Sequence, residues 1–459
     1  MSSGPEDTTI QPNVEEEVPL KGIRGALAAF DNGNFRLLWA GRVTSNMARQ
    51  MRVFLRAWIV WEITDSPLLL GLVTSSLAWP MLFMPFVGGF LADKIDRRRL
   101  LKYTESSLTI LWAVVAALVY FEFVEWWHFM VSSVLSGVIQ SIGRPGHQAI
   151  LGSIVAKNRL ANAVALDNIA DTWPRVAGPA LGALLIAAIG TGWLFWMTAA
   201  GQLFTAITIF LLKWDPVEQR ARQRGDGSRR SFFDGFRHVW REKVLLGLIG
   251  LGVAFAMIGG AAGFLMPIFA DAILGNSLAA LGIEGGAGLG YLMTVSTIGT
   301  SVGALFVVFM TNFGHRGYLL FAVAILNTIV IIAFSRSELF FISLGLVFFM
   351  GIAQVMFRTM RVVAMQILTP DDLRGRVMSF QTTVQGMTWV GVLIMGSAAE
   401  FLTTNTWNLS FTTSWMSFEH VLGGSIARAA ADTVMIAGIL YGIISVLFFL
   451  LFPALRRFR

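Results

Sequence analysis

Four arginines, Arg42, Arg49, Arg52 and Arg56, lie in an otherwise apolar stretch of this 459-residue chain, and at 100° per residue they share an arc of about 80° on one helix face. Guanidinium groups bind carboxylate and phosphate through paired hydrogen bonds. Arg144, Arg175, Arg358 and Arg361 fall in further apolar stretches, where the acids are Glu105, Asp167, Asp171 and Asp432. The cationic excess predicts a cavity for an anionic or metal-chelating, oxygen-rich small molecule, with Arg49, Arg52, Arg144 and Arg358 as contacts. The competing expectation is that the arginines pair with these acids and lock helices together. Asp171 and Arg175, spaced i and i+4, suit such a pair, and Arg42 suits a snorkelling position near a helix end. Asp171 is the first candidate for a titrating, proton-coupling group, with Asp167 and Glu105 as the others.

Enzyme chemistry is not expected. The chain has no cysteine, and His128, His147, His238, His315 and His420 share no metal-ligand spacing. A phosphate-binding Gly-Lys loop is absent as well. Neither a cofactor nor a metal is called for.

The elements that carry these residues are membrane helices. Hydrophobic residues make up 55% of the chain and charged ones 14%, too little polar material to coat a soluble body of this size. With about 20 apolar residues needed per span, the sequence divides into segments at 36–62, 68–92, 100–121, 127–155, 162–189, 193–213, 244–271, 286–312, 317–335, 338–368, 374–402 and 428–453. Helices are expected, because a backbone in hydrocarbon must satisfy its own hydrogen bonds. With both termini in the cytoplasm, 25 of the 35 Lys and Arg residues fall in cytoplasmic tails and loops, and only Arg336 and Arg428 in or beside the opposite loops. That asymmetry predicts a multi-pass inner-membrane protein of this orientation. It also assigns the basic surface to anionic lipid, with no nucleic-acid partner. The first 20 residues lack the basic and apolar regions of a signal peptide.

The expected organisation is a tail at 1–35, a six-span bundle at 36–213, a basic linker at 214–243, a second six-span bundle at 244–453 and a tail at 454–459. In the linker, Phe232, Phe233, Phe236 and Trp240 either lie on the inner membrane surface or belong to a plain connection. Gly137-Val138-Ile139-Gln140 with Arg144 matches Gly351-Ile352-Ala353-Gln354 with Arg358 at an offset of 214 residues. Parallel repeats of this kind place a pathway at their interface. Proline at 80, 85, 174, 179 and 267 predicts kinks, and Gly178 and the glycines at 259–263 predict pivots or close packing. Trp173 and Trp389 are candidates to line the pathway. Residues 403–427 read as a long outer loop.

Between the second and third segments stands Gly88-Gly89-Phe90-Leu91-Ala92-Asp93-Lys94-Ile95-Asp96-Arg97-Arg98-Arg99-Leu100-Leu101. This resembles the signature loop of the major facilitator superfamily. Phe35-Arg36-Leu37-Leu38-Trp39, the run from Ala161-Asn162-Ala163 to Gly178-Pro179-Ala180-Leu181-Gly182, and Pro370 to Ser379 are similar to the branch of enterobactin exporters and macrolide or other drug efflux proteins. The resemblance implies an all-α fold of twelve transmembrane helices in two pseudo-symmetric bundles that works by alternating access, sufficient as a monomer. It also implies gating by Gly89, Asp93, Arg97 and Arg98, with Asp93 docking beside Gly375 and Arg376. The helix-four arginine of proton-coupled drug antiporters falls on Ser133 here, a departure that sends proton coupling to one of the acids named above. The resulting expectation is an ion-gradient-driven exporter, an antiporter if the ion is a proton, of a small anionic or chelating solute, siderophore-like or drug-like. An importer of an organic anion, a broad multidrug efflux protein and a transporter-like lipid-handling or receptor protein remain alternatives.

Overall fold

The computed structural model describes residues 28–80, 97–155, 159–212, 240, 242–310, 316–370, 373–405, 407–413, 416–422 and 425–452. Gly89 and Asp93 therefore lie outside the described residues. So do the side chains of Arg97, Arg98, Arg144 and Arg376, and most of the linker, including Phe232, Phe233 and Phe236. Gly375 is placed as backbone of a helix.

The first helix, α1 (Gly33–Thr64), starts at Asn32, whose side chain accepts the Asn34 and Phe35 backbone N–H groups. It ends at Asp65, held in the left-handed region at φ 47°. Ser66 then caps α2 (Pro67–Ser75), where proline occupies the first turn and so fits a position with no intrahelical donor to lose. Next come α3 (Arg97–Tyr120), α4 (Trp126–Ile154) and α5 (Leu160–Leu211). In α5 two spans run together across a break at Gly190, whose φ of 75° and ψ of 168° only glycine adopts cheaply. The two arms match the expected spans at 162–189 and 193–213.

In the second half α6 (Lys243–Ala254) continues as short π and 3-10 turns through Phe255–Gly259, Ala262–Leu265 and Phe269–Ile273. These departures fall on the glycines at 259–263 and on Pro267, where the sequence predicts pivots or a kink. The half is completed by α7 (Gly285–Met310), α8 (Arg316–Ser335), α9 (Phe340–Leu368), α10 (Arg374–Thr404) and α11 (Ile426–Leu451). Eight of these stretches are long and apolar enough to cross a membrane by length and composition. With its four arginines, α1 falls outside that set. The expected outer loop instead contains an antiparallel hairpin, β1 (Trp407–Thr413) with β2 (Met416–Leu422), in the register Trp407 opposite Leu422. Trp407, Phe411 and Phe418 give these strands the aromatic residues a strand prefers, a signal obscured by the surrounding Ser, Thr and Asn.

Within the first half α1 lies along both arms of α5. A Cβ at Gly182 would meet the Phe54 ring at 2.7 Å, and one at Gly178 the Gln50 side chain at 2.6 Å, so these glycines let the two helices touch. The two halves meet at the end of the bundle where α1 terminates. Trp61 Nε1 donates to Asp271 Oδ2 at 3.0 Å, and Ser66 Oγ to Glu400 Oε2 at 2.8 Å. The Trp58 ring packs against Gly285 and Gly286 there.

Gly290 of α7 sits against α5 so closely that a Cβ would stand 3.1 Å from the Pro179 carbonyl oxygen and closer still to Ala183. Gly290→Leu is expected to prop this end apart and slow transport at least about ten-fold at matched expression, because overpacking a tight contact costs about 1–3 kcal/mol. An unchanged rate would show that this end need not close.

Candidate substrate cavity and gate

The arginine stripe of α1 faces α5 and a cavity of about 230 Å³ inside the first half. Arg42, Arg49 and Arg52 line it with Glu105, Asp171 and Gln202. Arg56 is not among the lining residues. A cavity beside the stripe and several of the expected ion pairs are thus both present.

Arg42 grips Asp167 through Nε at 2.7 Å and Nη2 at 3.1 Å. One helical turn on, Asp171 takes Arg49 Nη2 on Oδ1 at 3.2 Å and Arg175 Nη2 on Oδ2 at 2.7 Å. Arg49 also donates to Asn46 Oδ1 at 2.8 Å, while Asn46 Nδ2 donates to the Ala170 carbonyl at 2.9 Å. The i, i+4 pair read from sequence is present, then, and Arg49 turns it into a triad. Both oxygens of Asp171 accept guanidinium donors, one from α1 and one from its own helix.

Deeper in the wall, Arg52 is 6% exposed. Its Nη1 donates to the Thr198 carbonyl at 3.1 Å and its Nη2 to Gln202 Oε1 at 3.2 Å, and its guanidinium lies 4.5 Å from the centre of the Trp112 ring. Gln202 Nε2 then donates to Glu105 Oε2 at 2.7 Å, so a neutral amide connects the buried arginine to a buried carboxylate. Arg56 Nη1 donates to Ser133 Oγ at 2.6 Å. A guanidinium from α1 is thereby delivered to the α4 position where drug antiporters of the superfamily carry an arginine.

The second half contributes differently. Arg361 is buried in its core and donates to Gln381. Arg358 is exposed, has no carboxylate within ion-pair reach among the described residues, and lies close enough to Arg175 of the other half for their charges to act on each other. Asp432, an expected partner for the intramembrane arginines, is instead fully buried against Arg336 at 2.7 Å. Trp173 is 62% exposed and does not line the cavity.

Sequence reasoning missed four participants. Gln202 and Trp112 look like single residues in ordinary spans, and nothing in their spacing marks them. Asp271 and Glu400 sit at segment ends, where a carboxylate reads as part of a loop. The only usable signal was their position at the ends of the seventh and eleventh segments.

Known proteins place this arrangement. Residues 24–432 match the family described as transmembrane secretion effectors. The chain is 24% identical over 357 residues to the staphyloferrin A transporter of Staphylococcus aureus, covering 75% of this chain and 84% of that protein. It is 22% identical over 343 residues to the enterobactin exporter EntS of Shigella boydii, covering 74% and 79% respectively. A shorter match, 27% identical over 190 residues, spans 40% of this chain and 44% of the MFS-type transporter YfiS of Bacillus subtilis. The fold is that of a bacterial homologue of the lysosomal transporter Spinster, with a TM-score of 0.66 at 16% identity over 93% of this chain and 97% of that one. A twelve-helix architecture, a buried cationic wall and a family match over most of the chain lead to one assignment: the protein is a multi-pass membrane transporter of the major facilitator superfamily and belongs to its transmembrane secretion effector family.

Proposed function

We propose that the protein is a secondary active exporter of a small anionic or chelating organic solute, moved by alternating access of two six-helix bundles, 36–213 and 244–453. One observation carries this reading. Arg42, Arg49 and Arg52 line the cavity with the carboxylates of Glu105 and Asp171, and beyond its lining Arg175 and Arg358 add two guanidinium groups and Asp167 one carboxylate. A cationic drug would find the opposite of what it needs, whereas carboxylate, phosphate or catecholate groups suit guanidinium donors. Relatives named for siderophore transport agree with an oxygen-rich solute.

A cavity of about 230 Å³ is smaller than the roughly 300–1,000 Å³ of a complete ligand pocket. It would receive one arm of the solute, the remainder lying in the cleft near Arg175 and Arg358. Arg144, at the position of Arg358 in the other repeat, is a further substrate contact in this reading. The coupling ion is a proton in this reading, with Asp171 as the first candidate for the coupling carboxylate and Asp167 and Glu105 as the others; Gln202 joins Glu105 to Arg52. Gly89, Asp93, Arg97, Arg98, Gly375 and Arg376 form the gate at the cytoplasmic end. The protein works as a monomer in the inner membrane, with both termini and the basic linker facing the cytoplasm and anionic lipid.

The test compares metabolites in cells and medium from a deletion strain, a complemented strain and a strain complemented with Arg49→Ala at matched expression. An acidic or chelating metabolite should accumulate inside the deletion strain, leave the complemented one, and remain trapped with Arg49→Ala. Accumulation limited to lipophilic cations, or normal clearance by the variant, would overturn the reading.

A further inference from the structure

We propose that Glu400 is a gating residue, a latch by which the second half of the transporter holds the first half shut at the end remote from α1's start. Its Oε2 accepts the Ser66 hydroxyl at 2.8 Å and the Leu68 backbone N–H at 3.3 Å, although Glu400 belongs to α10 and both donors to the start of α2.

The reason lies in how α2 begins. A helix exposes its first N–H groups without intrahelical partners. In α2 the first of these is missing, because residue 67 is proline. The Leu69 N–H goes to Ser66 Oγ at 3.3 Å, and the Leu70 N–H to the Ser66 carbonyl at 3.0 Å. The Leu68 N–H is left, and the partner it finds is a carboxylate from the opposite half. The cap of α2 is complete only while this end is closed.

Charge points the same way. A carboxylate at a helix N-terminus is stabilised by the macrodipole, whereas one near a helix C-terminus is opposed by it. Glu400 stands four residues before the end of α10, an unfavourable place for its own helix and a favourable one for α2. The backbone leaves little slack, since a Cβ at Gly396 would approach the Pro67 carbonyl oxygen at 2.6 Å and one at Gly71 the Val392 carbonyl oxygen at 3.2 Å. The two helices are therefore pressed together beside the latch. Opening this end must break both charge-assisted bonds and hand the Leu68 N–H to water.

The inference rests on alternating access and on neither the cargo nor its direction, so its failure would leave the proposed function standing. The chain contains no cysteine. Spin labels can therefore be placed at Ile63→Cys and Thr404→Cys, exposed positions in opposite halves near the latch, and the distance between them read in lipid nanodiscs. Glu400→Ala is expected to raise the ratio of long to short distances about ten-fold, the scale of two bonds to a charged group less their replacement by water. Ser66→Ala should move it in the same direction by less. Glu400→Gln, which keeps an acceptor oxygen but loses the charge, should fall between wild type and Glu400→Ala. If Glu400→Ala does not fold, Glu400→Gln and Ser66→Ala decide. Distributions that superimpose on the parent would overturn the proposal, as would a loss of transport with no change in distance.

Discussion

Arg52→Met is expected to abolish transport and to lower thermal stability together. The guanidinium is buried and holds three partners at once, the Thr198 carbonyl, the Gln202 amide and the Trp112 ring. Removing it leaves Gln202, which donates to the 5% exposed Glu105, without the cation it joins to that carboxylate. Breaking a buried charge network by deleting one partner typically costs about 3–5 kcal/mol, while deleting both charges restores much of that loss. The double variant Arg52→Met, Glu105→Gln should therefore unfold at nearly the wild-type temperature in detergent, yet remain inactive. Arg52→Lys should not rescue transport either, because a point charge cannot reproduce a planar fork stacked on an indole. A double variant that transports normally would show that the buried charges serve stability alone.

Arg358→Ala is expected to do the reverse, leaving the unfolding temperature unchanged while raising the KM for an anionic solute about ten-fold or more. Arg358 is exposed and makes no ion pair among the described residues, so no structural partner is lost on its removal. What changes is the charge in reach of Arg175 of the other half, on which Arg358 acts electrostatically. Arg175 is paired with Asp171, whereas Arg358 makes no ion pair among the described residues, so an anionic cargo supplies the countercharge Arg358 lacks, which is binding energy available to a charged cargo and not to a neutral one. Arg358→Lys should retain part of the affinity through charge and lose the remainder through geometry. Initial rates at several cargo concentrations separate the outcomes: a pure fall in maximal rate with constant KM would exclude substrate contact by this residue.

These two arginines show why the site was only partly legible beforehand. Both appear in sequence as lone charges in apolar spans, and the cost of a charge in lipid marks both as candidates. Their environments differ because of partners distant in sequence: Arg52 meets Thr198 and Gln202, nearly 150 residues away, while Arg358 forms no ion pair among the described residues. Asp432 illustrates the reverse error. It reads as a partner for the intramembrane arginines, but α11 buries it against Arg336. Arg56 and Ser133 are a third case, since a missing arginine on one helix is supplied from another by the turn-by-turn register of α1 on α4.

What the sequence determines by itself is whatever depends on local composition: spans long enough for a bilayer, the break near Gly190, the irregular stretch at 259–263, the alignment of arginines on one face of α1 and the charge asymmetry between loops. Each follows from helix geometry, glycine's freedom or the cost of charge in hydrocarbon, all readable residue by residue. Tertiary structure alone decided which guanidinium groups are satisfied, that a glutamine joins Arg52 to Glu105, and that a glutamate of α10 completes the cap of α2. Those outcomes depend on distances across helix contacts, and a change of about one ångström in such a contact separates a hydrogen bond from a stranded charge.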